Sequence, residues 1–365
     1  MSEKSVKTIN KIEELAKETL KQIDNKKNPQ INVPLRSLSN TWFDEKEGIL
    51  RMGDKAQKRY FMNLSHTKKF MQTLLVADEC KKLINSGKTT SIRDMFYSLK
   101  RPVANSTKDH VFADQNESDP ILEDLEVTLD VMREDLHLFA NSKGALVGNI
   151  TIKDSGDTID ARKMGSGGWA IPSIVEPEVI EFKDVDADYI LFIEKDAVWR
   201  RFNEDKFWKN HNCIITHGQG MAARGNRRLI HRLAKEHNLP VYCLVDNDPW
   251  GFYIYSVLKQ GSINLAFESK RMAVPKARFL GLSSFDEEKF KIPPQVRLPL
   301  QQVDIKRCKE MLNYEWFKNK TWQTEIKHML DKGVKLEIEA LSRRGITFIT
   351  DEYLPTKMET KDWLD

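Results

Sequence analysis

"VYCLVDNDPWG", residues 241–251, runs five apolar or β-prone residues straight into two aspartates, Asp246 and Asp248, and then a proline. So short and unbroken a run fits a strand buried on both faces, and Pro249 fits the first turn of a following helix. Two like segments precede it: "YILFI" at 189–193, closed by Glu194, and "CIIT" at 213–216. Each is followed by a stretch that can be helical, at 196–209, 222–237 and 250–260. Strands and helices that alternate in this way predict an α/β unit with a mainly parallel sheet flanked by helices. Ligands of such sheets bind outside the carboxyl ends of the strands.

What stands at those ends is acidic. If strand geometry persists to residue 248, Asp246 and Asp248 point to one side, and Glu194 reaches them from a neighbouring strand. Three hard oxygen donors converging in one crevice suit Mg²⁺, which takes carboxylate, water and phosphate oxygens. The competing role for Asp248 is to cap the helix that Pro249 opens. Capping accounts for one acid of the three and does not exclude metal binding.

The middle strand leads into "HGQGMAARGNRRLIHRL", 217–233. Gly218, Gly220 and Ala223 satisfy the GxGxxG/A spacing of a dinucleotide site, so an oxidoreductase built on Gly218 and Gly220 is a rival reading. Against it, the glycines follow the second strand rather than the first, and Asp246 lies further on than the roughly 20 residues that motif requires. The helix behind them carries Arg224, Arg227, Arg228, His231 and Arg232, more positive charge than one pyrophosphate needs. Arginines beside a carboxylate site fit a polyanion lying across it, the alternative being a solvated basic face.

The chain of 365 residues exceeds the size of a single core, which favours two or more domains. With 40% hydrophobic and 31% charged residues it is globular in composition, and no apolar run approaches the roughly 20 residues that span a bilayer. A start lacking a signal peptide's apolar region adds the expectation of an intracellular protein. Cys80, Cys213, Cys243 and Cys308 form no CxxC pair and point to neither zinc nor disulfides. The formal net charge of +4 is too small by itself to argue for nucleic acid.

Residues 8–23 carry Ile9, Ile12, Leu15, Ala16, Leu20 and Ile23 at helical spacing. This amphipathic helix packs either on its own core or on another chain. "DNKKNPQINVP" then reads as a linker. From about 65 to 150 the pattern is mostly helical and ends in "NSKGALVGNITI", where a small hairpin after helices fits a winged-helix arrangement. The Gly- and Ser-rich stretch 153–173 reads as a boundary or a substrate-ordered loop. The resulting division is 1–65, an N-terminal helix and linker that contacts a partner; 66–150, a winged-helix unit; and 151–365, the α/β unit with a C-terminal extension.

"SIRDMFYSLK", 91–100, places two aromatics side by side among cations. Ser91 followed by Asp94 matches a loose capping box, so a helix begins near Ile92 and ends before Pro102. At 100° per residue Ile92, Met95, Phe96 and Leu99 share one apolar arc, with Tyr97 nearly opposite and Arg93 and Lys100 on its side. A phenol is a poor nucleophile at neutral pH unless cations favour the phenolate. Arg93 can do so; the alternative is an ordinary surface tyrosine.

These segments resemble the A subunit of archaeal type IIB DNA topoisomerases, the topoisomerase VI family, and its relative the meiotic double-strand-break transesterase. "TSIRDMFY" is similar to the family's nucleophile motif, "FIEKDAVWRRF" and "LVDNDPWGFYIYSVLKQGS" to the two acidic motifs of its Toprim domain. "NLAFESKRMAVPKARFLGL" and "KLEIEALSRRGITFITDEYLPTK" resemble its C-terminal segments. The match runs from about residue 70 to the end, and departs at "GQGMAARG", where the family often has Gly-Gln-Pro-Pro.

The resemblance implies a CAP-like winged-helix domain followed by a Toprim domain. It implies that Tyr97 attacks a DNA phosphodiester to give a 5′-phosphotyrosyl break, and that Arg93 stabilises the charge that develops. Glu194, Asp246 and Asp248 hold Mg²⁺, Glu194 also shuttling a proton. With DNA as that polyanion, Lys100, Arg101, Arg224, Arg227, Arg228 and Arg232 are its expected contacts. The implied partners are double-stranded DNA, a second copy of the chain, and a GHKL-type ATPase B subunit that binds ATP in an A2B2 heterotetramer; GxxxxGK[ST] is absent from this chain. Relaxation and decatenation by duplex passage, at the nucleoid in the cytoplasm, complete the implication. The other readings are a transesterase that does not reseal and a DNA-binding module without catalysis.

Overall fold

The computed structural model describes residues 2–104, 106 and 109–365. They form two compact units, residues 1–41 with 52–141, and residues 42–51 with 142–365. The first 65 residues are therefore shared between both units rather than forming a region of their own. Among the described residues, no helix is long and apolar enough to cross a membrane.

The chain opens with α1 (Glu3–Asp24), capped by Ser2, and β1 (Gln30–Pro34). A hairpin of β2 (Thr41–Asp44) and β3 (Ile49–Met52) belongs to the second unit, where the Phe43 ring lies 6.4 Å from Trp316. β4 (Ala56–Tyr60) returns antiparallel to β1, so the expected linker contains a paired strand. Then follow α2 (Leu64–Ser86), β5 (Thr90–Ser91), α3 (Ile92–Leu99), α4 (Gln115–Leu129) and β6 (Leu138–Phe139), with β5 and β6 parallel. Val76, Cys80, Phe96, Leu122 and Leu125 form the core here, and Ile9 and Ile12 of α1 complete it. The apolar stripe of α1 is split: its first half is buried in its own core, while Leu20 and Ile23 are exposed.

The second unit starts with β7 (Ala145–Gly148) and β8 (Ile150–Asp154). These are the stretches expected to form a hairpin on the helical unit. Instead β7 lies antiparallel to a strand of the main sheet, and its four residues are buried there. Gly148 permits the approach: its φ is +141°, and a Cβ would come within 2.4 Å of the Cys213 carbonyl oxygen. β8 turns into β9 (Asp157–Asp160) through Ser155 and Gly156, both at positive φ as a tight type I′ hairpin requires. The Gly- and Ser-rich stretch is thus largely ordered, and β10 (Trp169–Ala170) pairs with β7. β11 (Ile180–Val185) closes a three-stranded sheet with β8 and β9.

The main sheet follows. β12 (Tyr189–Ile193), α5 (Asp196–Glu204), α6 (Phe207–Asn210), β13 (Cys213–His217), α7 (Arg224–Glu236), β14 (Val241–Leu244) and α8 (Pro249–Gln260) succeed one another as the alternation predicts. After α9 (Ser269–Met272) comes β15 (Arg278–Phe279), giving the order β10-β7-β13-β12-β14-β15. β12, β13, β14 and β15 are parallel neighbours. Every residue of β12 is buried, because helices cover both faces of a central parallel strand; hence its unbroken apolar run. The chain ends with α10 (Asp286–Lys289), β16 (Leu298–Pro299), α11 (Gln302–Met311), α12 (Lys320–Lys332), β17 (Val334–Lys335) and α13 (Leu354–Glu359). Trp322 of α12 seats this extension, its ring within 5.5 Å of those of Phe252, Tyr255, Phe279 and Phe317.

Candidate active site

β12 connects through α5 and α6 to β13 on one side of the sheet, while β14 lies on the other and leads on to β15. The connections therefore diverge between β12 and β14, and the crevice at such a switch point is where open α/β sheets bind ligands. Glu194 follows directly on β12, and Asp246 follows β14 after Val245. The Asp246 backbone N–H donates to Glu194 Oε2 at 3.3 Å, and the Glu194 N–H donates to the Leu244 carbonyl at 3.0 Å. The glycine turn serves this acid rather than a cofactor: the Gly220 N–H donates to the Glu194 carbonyl at 2.9 Å. Gln219 and Gly220 both take positive φ, and the chain reaches the start of α7 from there.

Asp246 has both oxygens engaged. Oδ1 accepts from the Ile338 N–H at 2.8 Å, and Oδ2 lies 2.8 Å from Lys195 Nζ. The same ammonium reaches Glu339 at 2.8 Å and Glu337 at 3.3 Å. Asp248 is the N-cap of α8, accepting from the Gly251 N–H at 2.6 Å. Burial dominates the electrostatics of all three acids. It pushes Glu194 up to about 7, helped by the Asp246 charge. It pushes Asp246 up to about 6 against the bond from Lys195, and raises Asp248 against the bond from Gly251. Burial opposes the charge of Lys195, but its bonds to Asp246 and Glu339 prevail and keep its pKa above that of an ordinary lysine.

Among the described residues, no group of three or more His, Cys, Asp or Glu side chains is gathered closely enough to hold a metal ion. Asp248 lies beside the other two acids, its charge helping to raise both Glu194 and Asp246, while its carboxylate also caps the start of α8. The donor chemistry nevertheless fits a hard divalent cation. Two buried carboxylates driven toward protonation are stabilised as anions by such an ion, and Mg²⁺ is commonly held by one or two carboxylates with water and phosphate oxygens completing its shell.

In the other unit, α3 takes the predicted form. Ser91 Oγ accepts from the Asp94 N–H at 3.0 Å, and Ile92, Met95, Phe96 and Leu99 are buried. Tyr97 is 55% exposed. Its ring leans on Phe96 at 5.1 Å, with Lys100 Nζ 5.9 Å from the Tyr97 centroid. Arg93, Lys100 and Arg101 are exposed as well.

The arginines of α7 are placed otherwise than expected. Arg232 is buried, donating to the Val175 and Ile180 carbonyls at 2.8 Å each and to Glu236, with its guanidinium 4.4 Å from the Phe182 ring centre. Arg228 binds Glu176 through two bonds of 3.0 and 2.9 Å, Arg224 pairs with Glu268 at 3.3 Å, and Arg227 is buried. Leu229, Ile230 and Leu233 turn α7 onto the core, and the stems of Arg228 and Arg232 follow them inward while their heads bind carbonyls and acids of the surrounding segments; Nε of Arg227 is buried without a hydrogen-bond partner among the described residues. Arg228 and Arg232 are thus engaged by groups of their own chain, and Arg227 lies buried. Conversely, Lys195, Glu337 and Glu339 were missed as parts of the site; the only signal was that Lys195 adjoins Glu194.

Residues 68–138 match the family model described as type IIB DNA topoisomerase, and residues 142–186 one described as an all-beta domain in the DNA topoisomerase VI alpha subunit. Residues 189–358, with the acid crevice, match the Toprim domain shared by the topoisomerase 6 A subunit and Spo11. Fold and site thus define an enzyme chain of the type IIB DNA topoisomerase class. The A subunit of type 2 DNA topoisomerase 6 from Pyrococcus abyssi is 44% identical over 361 residues, covering 96% of this chain and 94% of its own. That of Hyperthermus butylicus is 43% identical with the same coverage, and the A3 subunit of DNA topoisomerase 6 from Oryza sativa is 35% identical over 91% of this chain and 73% of its own. The chain belongs to the family of DNA topoisomerase 6 A subunits. The similarity extends into the N-terminal segment, further than the motifs alone indicated, and the oxidoreductase reading is displaced.

Proposed function

We propose that this chain cuts and reseals double-stranded DNA with Tyr97 as nucleophile. The tyrosine oxygen attacks a backbone phosphorus; the new O–P bond forms as the bond to the 3′-oxygen breaks, and that oxygen leaves with a proton. The 5′ end stays on Tyr97, and because the phosphodiester is exchanged rather than hydrolysed, the reverse step reseals the strand. The observation that carries this reading is the exposed phenol of Tyr97 on a helix whose opposite face is locked in the core. Arg93 and Lys100 supply cationic charge on its side, which stabilises the charge that builds on the phosphate in the transition state.

Glu194 and Asp246, with Asp248 beside them, would hold Mg²⁺, which when bound supplies charge neutralisation at the scissile phosphate and the leaving oxygen. Glu194, brought up to about 7 by burial, is suited to pass a proton to and from the 3′-oxygen. Two copies of the chain cut the two strands. Relatives named as A subunits imply a B subunit; in this reading it is a GHKL-type ATPase, the assembly is A2B2, and the exposed Leu20 and Ile23 of α1 remain for such a partner.

Incubation with the B subunit, Mg²⁺, an ATP analogue and labelled supercoiled plasmid, then denaturation, tests this. Wild type gives a covalent protein–DNA adduct and Tyr97→Phe none. An adduct that survives in Tyr97→Phe means another residue is the nucleophile, and plasmid that stays cut after chelation and high salt means a transesterase that does not reseal.

A further inference from the structure

Between the two aspartates stands Asn247, whose backbone and side chain are both tied inward. Its N–H donates to the Leu336 carbonyl at 2.9 Å and its carbonyl accepts from the Leu336 N–H at 3.0 Å. Its side-chain Nδ2 lies 3.2 Å from the Leu282 carbonyl, 3.3 Å from Ser284 Oγ and 3.2 Å from Glu325 Oε1. Asn247 is 2% exposed and Glu325 1%.

Glu325 is the anomaly. The buried face of α12 consists of Trp322, Glu325, Ile326 and Met329, an i, i+3, i+4, i+7 stripe that is apolar but for this carboxylate. Buried glutamates are rare unless paired with a cation. Here the donors are neutral: Asn247 Nδ2 and Ser284, by its N–H and hydroxyl. Burial accordingly raises the pKa of Glu325, and the charge of Asp286 raises it further. Leucine would fill this stripe at lower cost; a carboxylate there breaks the local pattern, as residues at functional sites do.

We propose that Glu325 is a positioning residue for the metal-binding acids: through its bond to Asn247 it fixes the turn that carries Asp246 and Asp248. This rests on the reading of Glu194 and Asp246 as a divalent-cation site. The turn at 246–248 is then held from two sides, by Leu336 on the Asn247 backbone with Ile338 on the Asp246 carboxylate, and by Glu325 and Ser284 through the Asn247 amide. Outer-shell partners of this kind set ligand geometry, and their loss costs roughly 10- to 100-fold in metal affinity.

Mn²⁺ binding to the full-length chain, followed by electron paramagnetic resonance without DNA, tests the proposal. Glu325→Ala is expected to weaken binding by roughly 10- to 100-fold. Glu325→Gln, which keeps an oxygen for Asn247 and Ser284, restores it to within a few fold of wild type. Asp246→Ala abolishes binding and serves as the reference. If Glu325→Ala is folded and binds Mn²⁺ like wild type while Asp246→Ala does not, the positioning role is wrong; a Gln variant as weak as the Ala variant overturns it equally. Unchanged binding in Asp246→Ala sinks the metal-site reading instead. Should Glu325→Ala not fold, Asn247→Ala carries the same expected loss, and wild-type affinity there refutes the proposal.

Discussion

Asp246 donates its backbone N–H to the Glu194 carboxylate at 3.3 Å, so two acids from neighbouring parallel strands are held against each other at the end of the sheet. Their proximity would be costly in the folded state if both were ionised without a cation. In a fold without bound metal this cost depends on pH.

Glu194 is raised from 4.5 to about 7 and Asp246 from 3.8 to about 6. Between those limits the folded chain holds protons that the unfolded chain has released, so stability falls as pH rises through the window. Glu194→Gln removes its share. With EDTA present the variant is expected to be more stable than wild type at pH 8, by at most about 3 kcal/mol at 1.36 kcal/mol per pKa unit, and to lose that advantage near pH 4. Urea denaturation at the two pH values checks this, and saturating Mg²⁺ is expected to narrow the difference at pH 8.

Arg232, buried among its own chain's groups, and Lys100, exposed beside Tyr97 and proposed to contact DNA, are expected to respond differently to substitution. Arg232→Met strands the buried Val175 and Ile180 carbonyls and is expected to cost about 2–4 kcal/mol in urea denaturation. At a temperature where it remains folded, its affinity for duplex DNA and the salt dependence of that affinity match wild type. Lys100→Ala leaves stability within about 0.5 kcal/mol but lowers the slope of log K against log salt by about 1. Filter binding across a salt series distinguishes the two.

Ser91 holds the first turn of the helix that carries Tyr97. Ser91→Ala removes the bond to the Asp94 N–H and is expected to cost about 1 kcal/mol. Thr in its place restores most of the loss. If Tyr97 forms the proposed adduct, its yield is expected to follow the same order, wild type and Thr above Ala, and an unchanged yield in Ser91→Ala means that the cap does not help to place Tyr97.

The local patterns carried much of this. β12, β13 and β14 were legible because a strand covered on both faces must be apolar throughout, and α3 because its buried arc follows the 3.6-residue period. The reading faltered where an element's partner is remote. β7 and β8 have the composition of a hairpin, yet β7 joins β13 and β8 joins β9 and β11. The arginines of α7 read in sequence as a surface for a polyanion, whereas the carbonyls of Val175 and Ile180, more than 50 residues away, help to draw Arg232 inward.

The sequence by itself determined which segments become strands, that acids close two of them, and that Tyr97 turns away from the core, since each follows from burial of residues a few positions apart. Tertiary structure alone decided that the Asp246 oxygens are taken by Lys195 and the Ile338 N–H. It also decided that Lys195 bridges to Glu339 across 144 residues and that Glu325 meets Asn247 across 78. The reason is physical: a charge is settled by what surrounds it once water is excluded, and no local spacing records which distant groups the fold will bring there.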